Sequence, residues 1–502
     1  MLILVLESST TSAKAMLYDT AHGVVDTLSR SYSPAVSHQK EVGAQNAHEV
    51  FSQTASVGRE LCQGQKINLV VTSGTWHNIL VTDADFSPLT PAFTWSYNGA
   101  AGVANRLRSD DAFCNAFYQR TGCMVHAIYP AFKLMMLKEQ GFSLANRRLC
   151  CQSSYNTYQL TGQAVMSDCS ASGSGLVDVH TRNWDTETLN LLDVQAEQLF
   201  ELTSYHNPLK LSAHGAKQLG LPEGTPVIPS YPDGALNQVG AGALRPGKMT
   251  FSVGTSGALR ISTTKPALPQ KPSTWCYMSP DSWIIGAATS GACNCIDWFK
   301  NLFGNGVTYA DLEEQDLNVS DAPLFFPFLF GERCPGWQDA WKGGFLSLRP
   351  NHTQKDLYHS VQEGVLFNLY QCYQILCQAN GAPDEIHLSG GIMNSRKWMQ
   401  MCADIFGREM HCAHISNVSM VGAAVLGMKA LGCIEKLEDY QHQASEILLP
   451  NPTMHQLYAQ RFTAYKARYE KNRTIDCTQH ISKSSTPIFP ILAKKSARKP
   501  TS

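Results

Sequence analysis

Hydrophobic and polar residues follow the same order in two short blocks, one in each half of the chain. An apolar run at residues 2–6 breaks into hydroxyl residues and then alternates, and residues 249–261 repeat this order. Short apolar runs predict buried strands, and the alternation after each break predicts a second strand rather than a helix. The two blocks therefore predict two strand–turn–strand hairpins.

Longer segments repeat apolar residues at three- and four-residue steps, which predicts helices. The strongest pattern covers residues 353–379, where Thr353 and Asp356 form a capping-box pair and Gly381 stops the helix. Pro130 suits the first turn of another helix. Further helices are predicted over residues 47–62, 149–158, 189–219 and 418–431.

Polar residues and glycines follow several of the predicted strands. The run at 227–228 leads into a turn with Asp233, the strand at 385–388 leads into Gly390 and Gly391, and the strand at 67–71 precedes Trp76 and His77. Open α/β sheets bind ligands at these strand ends. Other groups suited to holding a polyol are Trp95 and Asn98, after a short strand, and His126, in a turn.

The loop after the second repeated strand has the composition of a phosphate site. In Gly254-Thr255-Ser256-Gly257, small residues let backbone N–H groups approach an anion, and the hydroxyls add donors. One such loop is also typical of an ordinary turn, so the prediction rests on the two matching copies and on Asp233 shortly before the second. For Trp76, Trp95 and His77 a structural role in the core stays open.

Length and composition limit the class of protein. A chain of 502 residues is too long for one core, and we predict domains at 1–245 and 246–470 followed by a disordered basic tail at 471–502. A net charge of -1 argues against nucleic-acid and membrane binding. Sixteen scattered cysteines without a CxxC pair indicate a reduced, cytoplasmic protein, and no apolar segment is long enough to predict a membrane span.

Together these motifs resemble the FGGY family of carbohydrate kinases, within the actin/hexokinase/Hsp70-type ATPase superfamily, over residues 1–465. The resemblance rests on residues 7–14 (usually D-x-G-T-T-S-x-K), Asp233-Gly234, the loop at 254–257, Gly390-Gly391 and the helix around Gly422. It implies an α/β fold of two ribonuclease-H-like domains with a cleft between them. Segments 121–134, 170–184 and 328–337 look most like those of gluconokinases.

The resemblance implies ATP-dependent phosphorylation of a terminal hydroxyl of a small sugar or sugar acid, with gluconate favoured and Mg²⁺ as the metal. Asp233 would be the catalytic base and, with Glu7, a metal ligand. The implied phosphate and nucleotide contacts are Thr10, Thr11, Ser12, Lys14, Gly254, Thr255, Ser256, Gly390, Gly391 and Asn394. The implied substrate contacts are Trp76, His77, Trp95, Asn98, His126 and Asp233.

Several residues depart from the family pattern. Glu7 stands in place of an aspartate and Ser9 in place of a glycine, and residues 97–99 lack the usual acid and arginine. These departures leave open a kinase for xylulose, ribulose or glycerol, and a sensor that binds ATP without transferring phosphate. Asp233 favours the enzyme, because only transfer to a hydroxyl needs that base. The expected partner is a small molecule, and the oligomeric state stays open, a homodimer included.

Overall fold

The computed structural model describes residues 1–37, 42–302, 306–313, 319–412, 417–442 and 445–483. The strands of the first half are β1 (Leu2–Ser8), β2 (Ser12–Asp19), β3 (Gly23–Ser31), β4 (Ala44–Gln45), β5 (Leu69–Gly74), β6 (Leu80–Thr82), β7 (Ala92–Phe93), β8 (Arg148–Cys150), β9 (Val165–Ser167), β10 (Val177–Asp178), β11 (Asn183–Trp184), β12 (Glu201–Thr203), β13 (Leu209–Lys210) and β14 (Pro226–Pro232). Its helices are α1 (Ala47–Leu61), α2 (Ala101–Leu107), α3 (Asp111–Thr121), α4 (Pro130–Glu139), α5 (Gln152–Thr161), α6 (Asp168–Ser172), α7 (Thr186–Leu192), α8 (Ala213–Leu219) and α9 (Asp233–Gly240).

The second half has fewer elements. Its strands are β15 (Lys248–Val253), β16 (Gly257–Thr263), β17 (Trp275–Ser279), β18 (Ser282–Thr289), β19 (Leu324–Phe326), β20 (Gly344–Leu346), β21 (Glu385–Ser389), β22 (Met410–Cys412) and β23 (Glu446–Leu448). Its helices are α10 (Cys293–Asn301), α11 (Tyr309–Glu313), α12 (Gln354–Asn380), α13 (Arg396–Phe406), α14 (Val418–Ala430) and α15 (Pro452–Lys483).

Each half contains one main sheet, and the two sheets share a strand order. The first runs β13-β14-β5-β1-β2-β3, and the second runs β17-β18-β16-β15-β21-β22-β23. In both, an antiparallel hairpin continues into parallel strands: β1 pairs with β2 and β5, and β15 pairs with β16 and β21. The two predicted hairpins are confirmed, and each stands at the centre of its sheet.

Capping residues in the sequence correctly predicted several helix ends. Pro130 occupies the first turn of α4, and Thr353 caps α12 through a capping box with Asp356. Gly381, with φ 81°, follows the last residue of α12. The helices predicted at residues 47–62 and 418–431 are α1 and α14.

Two predicted helices have the wrong bounds, and the turn predicted at Asp233 is the start of a helix. Leu149 pairs with Val81 in the sheet, so residues 148–150 form β8 and the helix begins only after Cys151. Within 189–219, α7 ends where Asp193 turns to φ 53°, and short strands separate it from α8. Asp233 follows its strand as predicted, but it opens helix α9 rather than a turn.

Helices α9 and α14 connect the two halves through backbone contact. A Cβ on Gly240 would lie 2.1 Å from the carbonyl oxygen of Val418, and one on Gly422 would lie 2.0 Å from that of Leu236. Farther along α14, a Cβ on Gly427 would lie 2.9 Å from Ile3 of β1. A helix of the second half therefore packs on the sheet of the first.

The end of the chain continues as a helix past the predicted start of the tail. Helix α15 reaches Lys483, so residues 471–483 are helical, and residues 484–502 lie outside the described part. Within the described ranges, no helix is both long enough and apolar enough to cross a bilayer. The boundary predicted near residue 245 stays a prediction.

Candidate active site

Three parallel strands bring candidate residues to one edge of the first sheet. Glu7 of β1 pairs with Ser73 of β5, and Pro232 of β14 pairs with Gly74, the last residue of β5. Glu7 therefore lies at the same sheet edge as Asp233, which directly follows β14. The structure thus brings together two acids that are 226 residues apart in the chain.

Asp233 is a partly buried acid with an unusual pKa. Its Oδ1 accepts a hydrogen bond from the backbone N–H of Gly234 at 2.7 Å. Burial, followed by the negative charge of Glu7, raises the pKa of Asp233 to about 6, although Arg260 and Lys14 act in the opposite direction. A carboxyl group with a pKa near neutrality is suited to accept a proton from a hydroxyl.

Gly234 leaves room for an aromatic ring beside this acid. A Cβ at Gly234 would lie 2.5 Å from Cζ3 of Trp76, and a Cβ at Gly173 would lie 2.6 Å from Cδ1 of the same ring. The indole N–H of Trp76 donates to the carbonyl of Cys169 at 2.9 Å. Trp76 is therefore wedged between two glycines and supports the start of α9.

Glu7 is almost completely buried, and protein groups engage both of its carboxylate oxygens. Lys14 Nζ lies 2.9 Å from Oε1, while the hydroxyls of Ser73 and Ser419 lie 3.3 Å and 2.6 Å from Oε2. Ser419 belongs to α14, so the carboxylate also contacts the second half of the chain. Both carboxylate oxygens of the longer glutamate side chain thus have hydrogen-bond partners in the protein.

Ser9 fits the first hairpin loop without strain. Its hydroxyl donates to the carbonyl of Ser12 at 2.8 Å, and its backbone N–H donates to the same oxygen at 3.0 Å. Ser9 is not one of the non-glycine residues that have a positive φ in the described part of the chain, so the loop does not require glycine at this position. The indole N–H of Trp95 donates to Thr10 Oγ1 at 2.9 Å, while Thr11 is exposed.

The second loop presents donors toward solvent. Thr255 and Ser256 are exposed, and the backbone N–H of Gly254 donates to the carbonyl of Ser256 at 3.0 Å. The N–H of Cys293, at the start of α10, donates to the carbonyl of Gly254 at 2.8 Å. The amino end of a nine-residue helix therefore abuts this loop, and such helix ends favour anions.

The glycine pair at 390–391 lies directly beside the second loop. Gly390 has φ 95°, and a Cβ there would lie 2.6 Å from the carbonyl oxygen of Val253, the residue before Gly254. A Cβ at Gly391 would lie 2.8 Å from Cys293 Sγ. The two predicted nucleotide motifs are therefore neighbours, and Asn394 is exposed at the end of the following short helical turn.

His77 has a fixed protonation state. Its Nδ1 lies 2.7 Å from the carbonyl of Gly173, so Nδ1 carries the proton. Burial, followed by the charge of Arg333, holds the pKa of His77 well below its usual value, so the ring is neutral. Nε2 is then a hydrogen-bond acceptor, as a sugar hydroxyl requires.

The remaining predicted substrate residues differ in how they are engaged. Both ring nitrogens of His126 have protein partners: Nδ1 accepts from Ile128 N at 3.2 Å, and Nε2 lies 2.8 Å from Asp339 Oδ1. Asn98 is exposed, and its backbone carbonyl accepts a hydrogen bond from the backbone N–H of Ala101. Trp95 is 44 % exposed, so its ring is accessible next to the first loop.

Three cationic residues of this region were not found from the sequence: Lys133, Arg260 and Arg333. Lys133 is fully buried, and its Nζ donates to the carbonyls of His77 at 2.7 Å and Thr94 at 2.6 Å. These carbonyls belong to the segments that carry Trp76 and Trp95. A lone lysine inside the apolar run of α4 was the available signal.

We expect Lys133→Met to weaken acceptor binding while nucleotide binding is retained. Methionine fills similar space but donates no hydrogen bond. The carbonyl of His77 loses its donor, which costs about 1–3 kcal/mol, whereas that of Thr94 still accepts from the N–H of Tyr97 at 3.1 Å. The segments around His77 and Thr94 should then loosen, raising the KM for the acceptor about tenfold. Steady-state kinetics with each substrate varied in turn measures this.

Lys138→Met, on the same helix, is the matched control. Lys138 pairs with the exposed Asp193 at the surface, so its loss should change neither KM. An unchanged acceptor KM in a folded Lys133→Met variant would contradict the positioning role of Lys133.

The fold and site together define the class of protein. Two related domains each present a hairpin loop, and a partly buried acid with a raised pKa lies at the same end of the first sheet as Glu7, as in two-domain phosphotransferases of the actin/hexokinase type. Family models agree: the FGGY family of carbohydrate kinases matches residues 2–240 with its N-terminal domain and 249–431 with its C-terminal domain. The chain belongs to this family and is an ATP-dependent carbohydrate kinase, which confirms the expected family, fold and enzyme class.

Individual relatives cover most of the chain. A gluconokinase of Bacillus subtilis is 27% identical over 455 residues, which span 86% of this chain and 88% of the relative. A xylulose kinase of the same organism is 24% identical over 487 residues, spanning 94% of this chain and 97% of the relative. The solved gluconate kinase of Lactobacillus acidophilus superimposes with a TM-score of 0.88 at 26% identity, covering 94% of this chain and 98% of that one.

Proposed function

We propose that this kinase transfers the γ-phosphoryl group of ATP to a terminal hydroxyl of gluconate or a closely similar sugar acid. The observation that carries the proposal is Asp233, a partly buried acid with a raised pKa at the same end of the sheet as Glu7. The similarity to gluconokinases supports the choice of sugar. Xylulose kinases are also similar, so an open-chain ketose or glycerol is the alternative acceptor.

The placement of these groups supports the following reaction. Asp233 takes the proton of the acceptor hydroxyl while the hydroxyl oxygen attacks the γ-phosphorus. The bond between that phosphorus and the oxygen that bridges it to ADP breaks. The products are the phosphate ester and ADP, and the proton leaves Asp233 afterwards. Backbone N–H groups and hydroxyls of residues 10–12 and 254–256 are the proposed phosphate contacts, and Gly390, Gly391 and Asn394 would border the nucleotide.

Asp233 and Glu7 differ in how each could contact Mg²⁺. Oδ2 of Asp233 accepts no hydrogen bond from the described residues, whereas side chains engage both oxygens of Glu7. Because Mg²⁺ keeps several of its waters in protein sites, Asp233 would hold the ion and Glu7 would contact its waters. When bound, the ion neutralises charge on the phosphates.

The alternative of a sensor without phosphotransfer rested on Glu7 and Ser9. Ser9 forms the turn without positive φ, and Glu7 has Lys14 as a direct ionic partner at 2.9 Å. Both substitutions are therefore compatible with an ordered site. Together with Asp233, this supports an active enzyme.

The test is ADP release with MgATP against gluconate, xylulose, ribulose, glycerol and sedoheptulose, with a control lacking acceptor. We expect turnover with gluconate to exceed that with every neutral acceptor. A neutral sugar as the best acceptor would replace the named substrate and keep the enzyme class. Measurable ATP binding without turnover on any acceptor would favour the sensor.

The pKa of Asp233 predicts how activity depends on pH. The base must be ionised, so kcat/KM for MgATP, which reports the enzyme before the metal binds, should fall about tenfold per pH unit below about pH 6 and level off above it. His77, whose pKa lies well below its usual value, adds no inflection near neutrality. A profile that stays flat from about pH 5 to about pH 8 would contradict Asp233 as the base.

We also infer a reducing compartment, the cytoplasm, as the place of action. Fifteen described cysteines are free thiols, and most are buried. Buried free cysteines are typical of proteins kept reduced. The proposed partner is the small sugar acid itself.

A further inference from the structure

Two half-buried arginines near the candidate acceptor site have no carboxylate at ion-pair distance among the described residues. Arg260 lies on β16, and Arg333 lies in the segment between β19 and β20. The Nε of each is buried and bonds to no acceptor among the described residues. Neither forms an ion pair in that part of the chain, whereas Arg461 and Arg182 each pair with a carboxylate. Removing part of a guanidinium from water without an ion-pair partner is costly, so an anion from outside the chain is the expected partner.

The structure around Arg333 is well anchored. Its carbonyl accepts the backbone N–H of Trp337 at 2.6 Å, and the thiol sulfur of the next residue, Cys334, accepts from Ala288 N at 3.3 Å. Tyr469 donates to the neighbouring Glu332 at 2.5 Å. These contacts fix the backbone on both sides of Arg333, so its guanidinium starts from a defined position.

The guanidinium lies against the aromatic wall of the acceptor site. Its central carbon is 5.9 Å from the ring centroid of Trp337, and that ring lies 5.1 Å from the ring of His126. Trp337 also packs at 6.4 Å from Tyr129, whose ring lies 5.2 Å from His77. Arg333 therefore belongs to the same wall as two predicted substrate residues.

Arg260 interacts electrostatically with both Asp233 and Arg333. Burial lowers the pKa of Arg260, Asp233 raises it, and the positive charge of Arg333 lowers it further. Two neighbouring cations repel each other unless an anion lies between them. The acidic end of the site, with Glu7 and Asp233, thus gives way to a cationic end.

We propose that Arg333, with Arg260 beside it, forms a subsite that binds the carboxylate of the acceptor. The subsite rests on the proposed function, and it would explain why the enzyme selects a sugar acid as its acceptor. The terminal hydroxyl would lie at Asp233 while the carboxylate at the other end of the sugar accepts hydrogen bonds from Arg333. A guanidinium matches a carboxylate with two parallel N–H donors.

The experiment compares gluconate with glucitol, a neutral polyol of the same length, in the full chain. Wild type, Arg333→Met, Arg333→Lys and Arg260→Met are assayed for kcat and KM with each acceptor and with ATP, and gluconate binding is measured by calorimetry without nucleotide. Arg408→Met is the matched control, since Arg408 donates only to protein oxygens in the described structure, among them Tyr373 and Pro383. Thermal unfolding checks that each variant is folded.

We expect Arg333→Met to weaken gluconate binding about 10²-fold, with the KM for ATP unchanged and the preference for gluconate over glucitol lost. Arg333→Lys should fall between, because it keeps the charge but not the paired donors. Arg260→Met should reduce the same preference by a smaller factor.

Three results would overturn the subsite. Unchanged gluconate binding in folded Arg333→Met would do so, as would an increase only in the KM for ATP, which would assign the arginine to nucleotide phosphate. Equal loss with gluconate and glucitol would show a structural role. Failure of the proposed function looks different, because wild type itself would then lack acceptor-dependent turnover.

Discussion

Replacing Asp233 with asparagine is expected to lower kcat about 10²–10⁴-fold while ATP and the acceptor still bind. Asparagine has nearly the same shape, and its side-chain oxygen can still accept the N–H of Gly234 that now bonds to Asp233 Oδ1. It cannot take the proton of a hydroxyl. Steady-state kinetics with the best acceptor, together with calorimetric binding of each substrate, separates the chemical step from binding.

Asp168→Asn is the matched control for this substitution. Asp168 is a partly buried acid in the same half of the chain, but it pairs with Arg182. Its loss should leave kcat within a few-fold of wild type. If Asp233→Asn kept kcat within about tenfold of wild type, Asp233 would not be the base.

The second large effect concerns stability and lies away from the site. Glu363 of α12 is fully buried, and Arg461 of α15 donates to its Oε2 at 2.6 Å. Arg461→Leu would leave a buried carboxylate without its partner, which costs about 3–5 kcal/mol of unfolding free energy. Urea and thermal unfolding of the variant measure this loss.

The double variant Arg461→Leu with Glu363→Leu provides the comparison. Removing both charges leaves no unpaired ion, and such replacements are often neutral in stability. The double variant should therefore be more stable than Arg461→Leu alone. A single variant that loses less than about 1 kcal/mol, or a double variant that is no better, would show that the pair contributes little.

Features with a local cause were predictable from the sequence. The hairpins follow from apolar runs broken by hydroxyl residues, and the start of α12 follows from Thr353 and Asp356. Asp233 was identifiable because it follows a strand, although the helix after it was not. The family resemblance supplied the roles that a single sequence could not.

The misses have a common physical origin in tertiary contacts. Leu149 is apolar enough for either a helix or a strand, and its pairing with Val81, far away in sequence, decided the outcome. Likewise, Lys133, Arg260 and Arg333 acquire their meaning from groups that the fold brings close. A charged residue within an apolar segment is the pattern that would have singled out Lys133 and Arg260.

Because the backbones of α9 and α14 touch, we expect this crossing to be the pivot of any movement between the two halves of the chain. Two helices whose backbones touch at Gly240 and Gly422 have no side-chain layer between them that could deform. Sliding would bring backbone atoms into collision, so rotation about the contact is the movement that we expect. Loops far from a pivot travel farther than the pivot itself, and Asp233 and Ser419 stand on these two helices. A small rotation at these two glycines would therefore change the distance between the hairpin loops of the two halves.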